Sequence, residues 1–343
     1  MTAHGPAGES EANGRRRGTC VHFAKLAAIA AATISMPAAA QQPADAPRPH
    51  TSGWPALVSG KNAAEFGASL DLGPNLERGR SPRAELAEHR RLTGALAGLA
   101  PQRKGVVDAY VLVVGLDSDP VFGREAREAG KVLSRRFDAP GRTLVLAGSD
   151  GRGGGALPMG SLHALSLALA RVGELADPAE DVLVLYTTGH GAPYGITYHD
   201  GDEGFGVLTP ARLAGLLNEL GLRNRLLILS ACYSGLFVPA LYSETTAIFT
   251  AASAARPSFG CAPNNDWTFF GDAMINRALR KPQPLAAASA EALKLVGEWE
   301  AGRKYEPSYP QVSIGSRVDA WLKPLEGRMP KTATQPVGKP AVD

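Results

Sequence analysis

Two residues in this chain have the side-chain chemistry and the setting for covalent catalysis. His190 lies between two glycines in "TTGHGAPYG", and Cys232 lies among small residues in "SACYSG". An imidazole moves protons near neutral pH. A thiolate attacks a carbonyl carbon once a base or an imidazolium favours its ionised form. Taken alone, neither residue proves catalysis. A loop histidine is often only hydrogen-bonded. A cysteine after an apolar run can be a packed thiol, half of a disulfide, a metal ligand or a nucleophile.

The elements around them narrow the choice. "VVDAYVLVVG", "RTLVLAG", "DVLVLYTTG", "RLLILSA", "TTAIFTAAS" and "QVSIG" are apolar runs of strand length. "FGREAREAGKVLSRRF", "SLHALSLALARVGEL" and "TPARLAGLLNELG" between them have helical periodicity. In the last of these Thr209 is the N-cap, Pro210 the first helical residue and Gly221 the stop. Continuous apolar strands alternating with amphipathic helices predict an α/β fold. Its sheet is mostly parallel, with about six strands and helices on both faces. Ligands in such sheets bind at the carboxyl ends of the strands. His190 follows the third strand and Cys232 the fourth, and one helix joins the two. A right-handed crossover of that kind lays its strands in parallel. The two side chains are therefore expected side by side at one sheet edge. Gly191 has no side chain to block a substrate carbonyl, so its amide and that of Cys232 form a candidate oxyanion hole.

Competing arrangements are weaker. "SACYS" resembles the nucleophile elbow of α/β-hydrolases, but that order needs a later histidine, and none of the seven follows Cys232. "YHDGDEGFG" collects His199, Asp200, Asp202 and Glu203 but lacks the spacing of a calcium loop, and is expected to be a polar excursion between sheet elements. No CxxC pair exists, so no cysteine-type zinc site is expected. No other metal or cofactor is expected either.

The residues also resemble a known family. "VLVLYTTGHGAP" with "LLILSACYSG", and "SAARPSFGCAPNNDWTFFGDAM" further on, are similar to legumain-like (asparaginyl) cysteine peptidases of the caspase-like fold. The likeness runs from about Val106 to Gly315. It implies a cysteine endopeptidase, with His190 as the catalytic histidine, Cys232 as the nucleophile and Gly191 in the oxyanion hole. It implies a specificity pocket that includes Asp272 and Ser258, with Arg124 near the family's pocket arginine. Ser230 stands where legumains keep a pocket glutamate, which puts a strict preference for asparagine in doubt. The asparagine that accompanies the histidine in that family has no evident counterpart, although Asp117 and Asp119 stand near the corresponding strand end. A transamidase would use the same acyl-enzyme. A non-catalytic caspase-like binding module would be favoured by a Cys232–Cys261 disulfide.

The ends of the chain read differently. Residues 1–40 have the order of a signal peptide: Arg15, Arg16, Arg17 and Lys25, then "LAAIAAATISM", then "AAA" before Gln41. Export to the periplasm or beyond is expected, and Cys20 would leave with that segment. The apolar stretch is too short for a stable membrane span. Residues 41–104 read as a linker and a helical segment, 105–323 as the peptidase domain, and 324–343 as a flexible tail. The net charge of +3 is spread out, which gives nucleic-acid binding little support. The expected partner is a peptide or protein substrate.

Overall fold

The computed structural model describes residues 58–148 and 157–342, all within one compact unit. The predicted signal segment and the Pro-, Ala- and Gln-rich linker from Gln41 to about Ala56 lie outside the described residues.

The described residues begin with α1 (Ala63–Asp71), β1 (Asn75–Glu77) and α2 (Pro82–Ala97). It continues through β2 (Ala109–Gly115), α3 (Pro120–Arg136), β3 (Thr143–Leu146), α4 (Leu162–Leu175) and β4 (Val182–Thr188). A small antiparallel excursion follows, comprising β5 (Gly191–Ala192), β6 (Gly195–Asp200) and β7 (Gly204–Leu208). Next come α5 (Pro210–Glu219), β8 (Asn224–Ser230), the one-turn α6 (Val238–Leu241) and β9 (Thr246–Thr250). The short turn α7 (Phe269–Gly271), α8 (Leu285–Arg303), β10 (Gln311–Ile314) and α9 (Asp319–Arg328) complete it.

The main sheet has the order β10-β9-β8-β4-β2-β3, parallel throughout except for the antiparallel edge strand β10. Its six strands are the six apolar runs of the sequence. Alternation along each strand splits the core in two. Val111, Val113, Val184 and Ile228 point to the face covered by α3 and α8. Leu112, Val114, Leu185 and Leu227 point to the face covered by α2, α4 and α5. Helices thus cover both faces, which gives the mixed α/β architecture of the caspase-like fold. Helix α5 starts as its sequence requires: the Thr209 hydroxyl accepts from the Arg212 amide at 3.1 Å, and Gly221 takes φ +65° just beyond the end.

Segments on both sides of residues 105–323 pack with the sheet region. Residues 58–104 are built into it: β1 pairs with β7 in a second sheet of order β1-β7-β6-β5, and α2 buries Leu92 against the core. Arg80 secures that junction, bonding Glu77, Asp200 at 2.5 Å and the Tyr198 hydroxyl at 3.1 Å. The residues read as a polar excursion are the β6–β7 hairpin of this sheet. Short strands of polar and glycine residues carry too little apolar alternation to announce themselves.

The tail differs more from its composition. Trp267 Nε1 donates to the Val337 carbonyl at 2.8 Å, Asn276 Oδ1 accepts from the Val337 amide at 2.9 Å, and Asp272 Oδ2 accepts from the Ala341 amide at 3.0 Å. Pro, Lys and Thr suggest a loose segment, yet these buried groups need main-chain partners and find them there. Deleting residues 330–343 should cost about 2 kcal/mol or more, since several buried polar groups lose their partners. A thermal melt should show this as a drop of roughly 4 °C or more. An unchanged melting temperature would mean that the tail is not docked.

Candidate active site

The site is assembled by strand register. In the β4–β8 ladder Thr188 is level with Ser230. Two residues further along each chain stand His190 and Cys232, so both emerge at the same height at the carboxyl edge. The contact is close. A Cβ added to Gly191 would lie 2.0 Å from the Cys232 carbonyl oxygen and 3.0 Å from its amide nitrogen. Only glycine lets the two backbones approach this far. Among the described residues no hydrogen bond engages the Cys232 amide, which stays free for a substrate oxygen. Tyr233 follows in the left-handed region at φ +58°, and its amide donates to the Arg256 carbonyl at 2.9 Å. A non-glycine residue held there marks a sharp, over-determined turn right after the cysteine.

The two side chains have separate partners. Cys232 Sγ accepts from the Ser258 amide at 3.2 Å and lies 3.7 Å from the Ser258 hydroxyl. His190 Nε2 lies 3.4 Å from Asp119 Oδ2, and its ring meets Phe122 edge-on at 5.0 Å. A side-chain hydrogen bond with Cys261 is the largest influence on His190. Aided by Asp117 and Asp119 and opposed by burial, it pushes the imidazole pKa up to about 9. At neutral pH the ring therefore carries a proton it can donate. None of the described hydrogen bonds joins His190 to Cys232. The space between them is where a scissile bond would lie. Cys232 and Cys261 are both free thiols, so the disulfide that would favour a binding module is not formed.

Cys261 is the functional neighbour that sequence reasoning missed. Nothing in the chain order says that the loop after β9 returns to His190, so the sequence assigns this thiol no role beyond packing. That loop also lines a cleft of about 320 Å³ with Ser258, Cys261, Phe269, Tyr305 and the docked tail at Pro340 and Ala341.

The remaining pocket residues fall in different places. Ser258 lies both at the cleft and beside the cysteine sulfur. Arg124 braces the loop, pairing with Asp266 at 2.8 Å and donating to the carbonyls of Asn265 and, at 2.6 Å, Pro263. Two residues lie away from the surface. Asp272 is fully buried and binds Asn276, Arg277 and the tail, so it offers no surface to a substrate. Ser230 is 2% exposed and bonds the Thr268 hydroxyl at 3.1 Å, so it supports the floor and does not line a pocket.

Under that floor lies Glu125, fully buried. Tyr186 at 2.5 Å and Thr188 at 2.7 Å donate to one of its oxygens, and the Thr268 amide at 2.7 Å to the other. Burial pushes its carboxyl above the usual glutamate range, and the three donors only partly oppose this. Gly271 must be glycine here, because a Cβ would lie 2.2 Å from the carboxylate.

Residues 166–296 match the family model described as the Peptidase C13 family, the legumain family. The match runs from α4 into α8 and includes His190, Gly191, Cys232, Ser258 and Cys261. It bears out the resemblance read from the motifs and supports a peptidase activity of the cysteine type. No curated protein matches the chain. No helix among the described residues is long and apolar enough to cross a membrane.

Two outcomes follow from this geometry. Gly191→Ala should lower peptide cleavage about a hundredfold or more and also lower the melting temperature, because the added methyl meets the Cys232 backbone and displaces it, and small misplacements at the site are costly. Glu125→Gln tests the buried carboxyl by pH. A native pKa above the ordinary glutamate value of 4.5 means that the unfolded chain ionises first, so the wild type loses stability as pH rises past that value. The melting temperature of Glu125→Gln should therefore rise relative to wild type from about pH 4.5 upward. A difference that stays constant with pH would show that folding leaves the Glu125 pKa unshifted.

Proposed function

Taking residues 166–296 as a Peptidase C13 segment, we propose that the chain is an exported cysteine endopeptidase with Cys232 as its nucleophile and His190 as its acid and base. The observation that carries this reading is the ladder register that sets His190 and Cys232 abreast, with Gly191 against the Cys232 peptide.

In this reading the Cys232 sulfur adds to the carbonyl carbon of the scissile bond. The carbonyl oxygen becomes an oxyanion held by the amides of Cys232 and Gly191. Collapse breaks the carbon–nitrogen bond, and the amine leaves with the proton of the His190 imidazolium. Neutral His190 then takes a proton from water as it attacks the thioester, and collapse releases the acid and restores the thiolate beside the imidazolium. Asp119 positions the ring, and Phe122 packs against it edge-on. The Ser258 amide donates to the Cys232 sulfur and so holds it in position. An extended peptide fits the cleft beside Ser258 and Cys261 on one side of the nucleophile. Two free thiols speak against a disulfide-locked binding module. Export rests on the sequence of residues 1–40.

A peptide-library cleavage assay tests the assignment. Cys232→Ala and His190→Ala should each lose cleavage by about a thousandfold or more. Cys261→Ala should keep most of it. Loss in Cys261→Ala with activity retained in Cys232→Ala would exchange the roles of the two thiols and overturn the proposal.

A further inference from the structure

Asp117 follows β2 at the carboxyl edge of the sheet, and Asp119 stands at the start of α3. Asp117 Oδ1 accepts from the Asp119 amide at 2.8 Å. Its other oxygen has no hydrogen-bond partner among the described residues, although the side chain is only 2% exposed. The imidazole of His199 is 3.9 Å from that oxygen, too far to bond it. A buried acceptor left unpaired is costly, so a ligand that completes it is favoured there.

The surroundings of Asp117 suit a cation. Ligand atoms of Asp117, Asp119 and His190 all lie within 4.8 Å of one another. The 3.4 Å between His190 Nε2 and Asp119 Oδ2 is an edge length that one ion can bridge. Two ligand atoms bound tetrahedrally at about 2.1 Å are roughly 3.4 Å apart. The His190 and Asp119 side chains are each 40% exposed, so an ion can reach them from solvent, whereas Asp117 is buried.

We propose that Asp117, Asp119 and His190 form a binding site for a divalent transition-metal ion, with Zn2+ the closest chemical match, and that its occupancy switches off peptide cleavage. One imidazole nitrogen with two carboxylate oxygens favours such ions over Ca2+ and Mg2+, which prefer oxygen alone. The ion takes the Nε2 lone pair, so the ring can no longer become an imidazolium, and it neutralises two adjacent carboxylates. The binding half stands on these three side chains. The switching half rests on the function proposed above.

Calorimetry with ZnCl2 on the full chain carrying Cys232→Ala tests binding without any need for activity. One site of micromolar affinity is expected. Adding Asp117→Asn, or separately Asp119→Asn, should weaken it by about tenfold or more. Co2+ in place of Zn2+ should give ligand-field bands without thiolate charge transfer. Absence of binding, affinity unchanged in both aspartate variants, or a thiolate band would overturn the site. With wild-type Cys232 restored, Asp117→Asn should need about tenfold more Zn2+ for equal inhibition of cleavage. Equal sensitivity would overturn the switch and leave the site standing.

Discussion

Everything at the carboxyl edge depends on the parallel pairing of β4 with β8 in one register. Thr188 level with Ser230 fixes where the next two residues of each chain emerge. A slip of one residue would turn each side chain to the opposite face and put Cys232 out of line with His190. The register is protected because both strands are buried on both faces. Val184, Tyr186 and Ile228 fit one core, and Leu185, Leu227 and Leu229 the other. A slip would exchange these sets and spoil the packing on both sides. The position of the chemistry is therefore held by hydrophobic packing some distance from the reacting atoms.

The same edge is braced from below by polar groups. Glu125 ties α3 to β4 through Tyr186 and Thr188, and to the turn before α7 through Thr268. Thr268 in turn reaches Ser230, two residues before the nucleophile. One buried carboxyl thus links three elements that each carry part of the site. The satisfied network specifies one arrangement, since any other would strand polar groups away from water. Where legumain-like peptidases keep a glutamate ahead of the cysteine, this chain has a serine. Its own glutamate lies beneath, on the neighbouring helix, and cannot touch a substrate.

The ends of the described chain are part of the same construction. The N-terminal segment supplies β1 and α2, and Arg80 locks it to the hairpin that follows β5. The C-terminal tail satisfies Trp267, Asn276 and Asp272, and its last described residues form one wall of the cleft beside Ser258. Asp272 therefore shapes the cleft from behind, through the tail it holds. Contact with Cys261, with Asp117 and Asp119 beside it, raises the pKa of the His190 ring to about 9.

The sequence by itself determined the main sheet and the pair of residues at its edge. Apolar runs and helical periodicity are local, and the order strand, helix, strand allows almost only one handedness. That is enough to bring His190 and Cys232 together without any knowledge of contacts. Tertiary structure alone decided what surrounds them. Cys261, Asp119, Glu125 and the docked tail meet the site through loops and helix ends, whose paths depend on packing and leave no periodic trace. Asp272 and Ser230 matched a family motif by position, yet burial removed both from reach of a substrate. Motif position is a property of the chain, whereas exposure is a property of the folded whole.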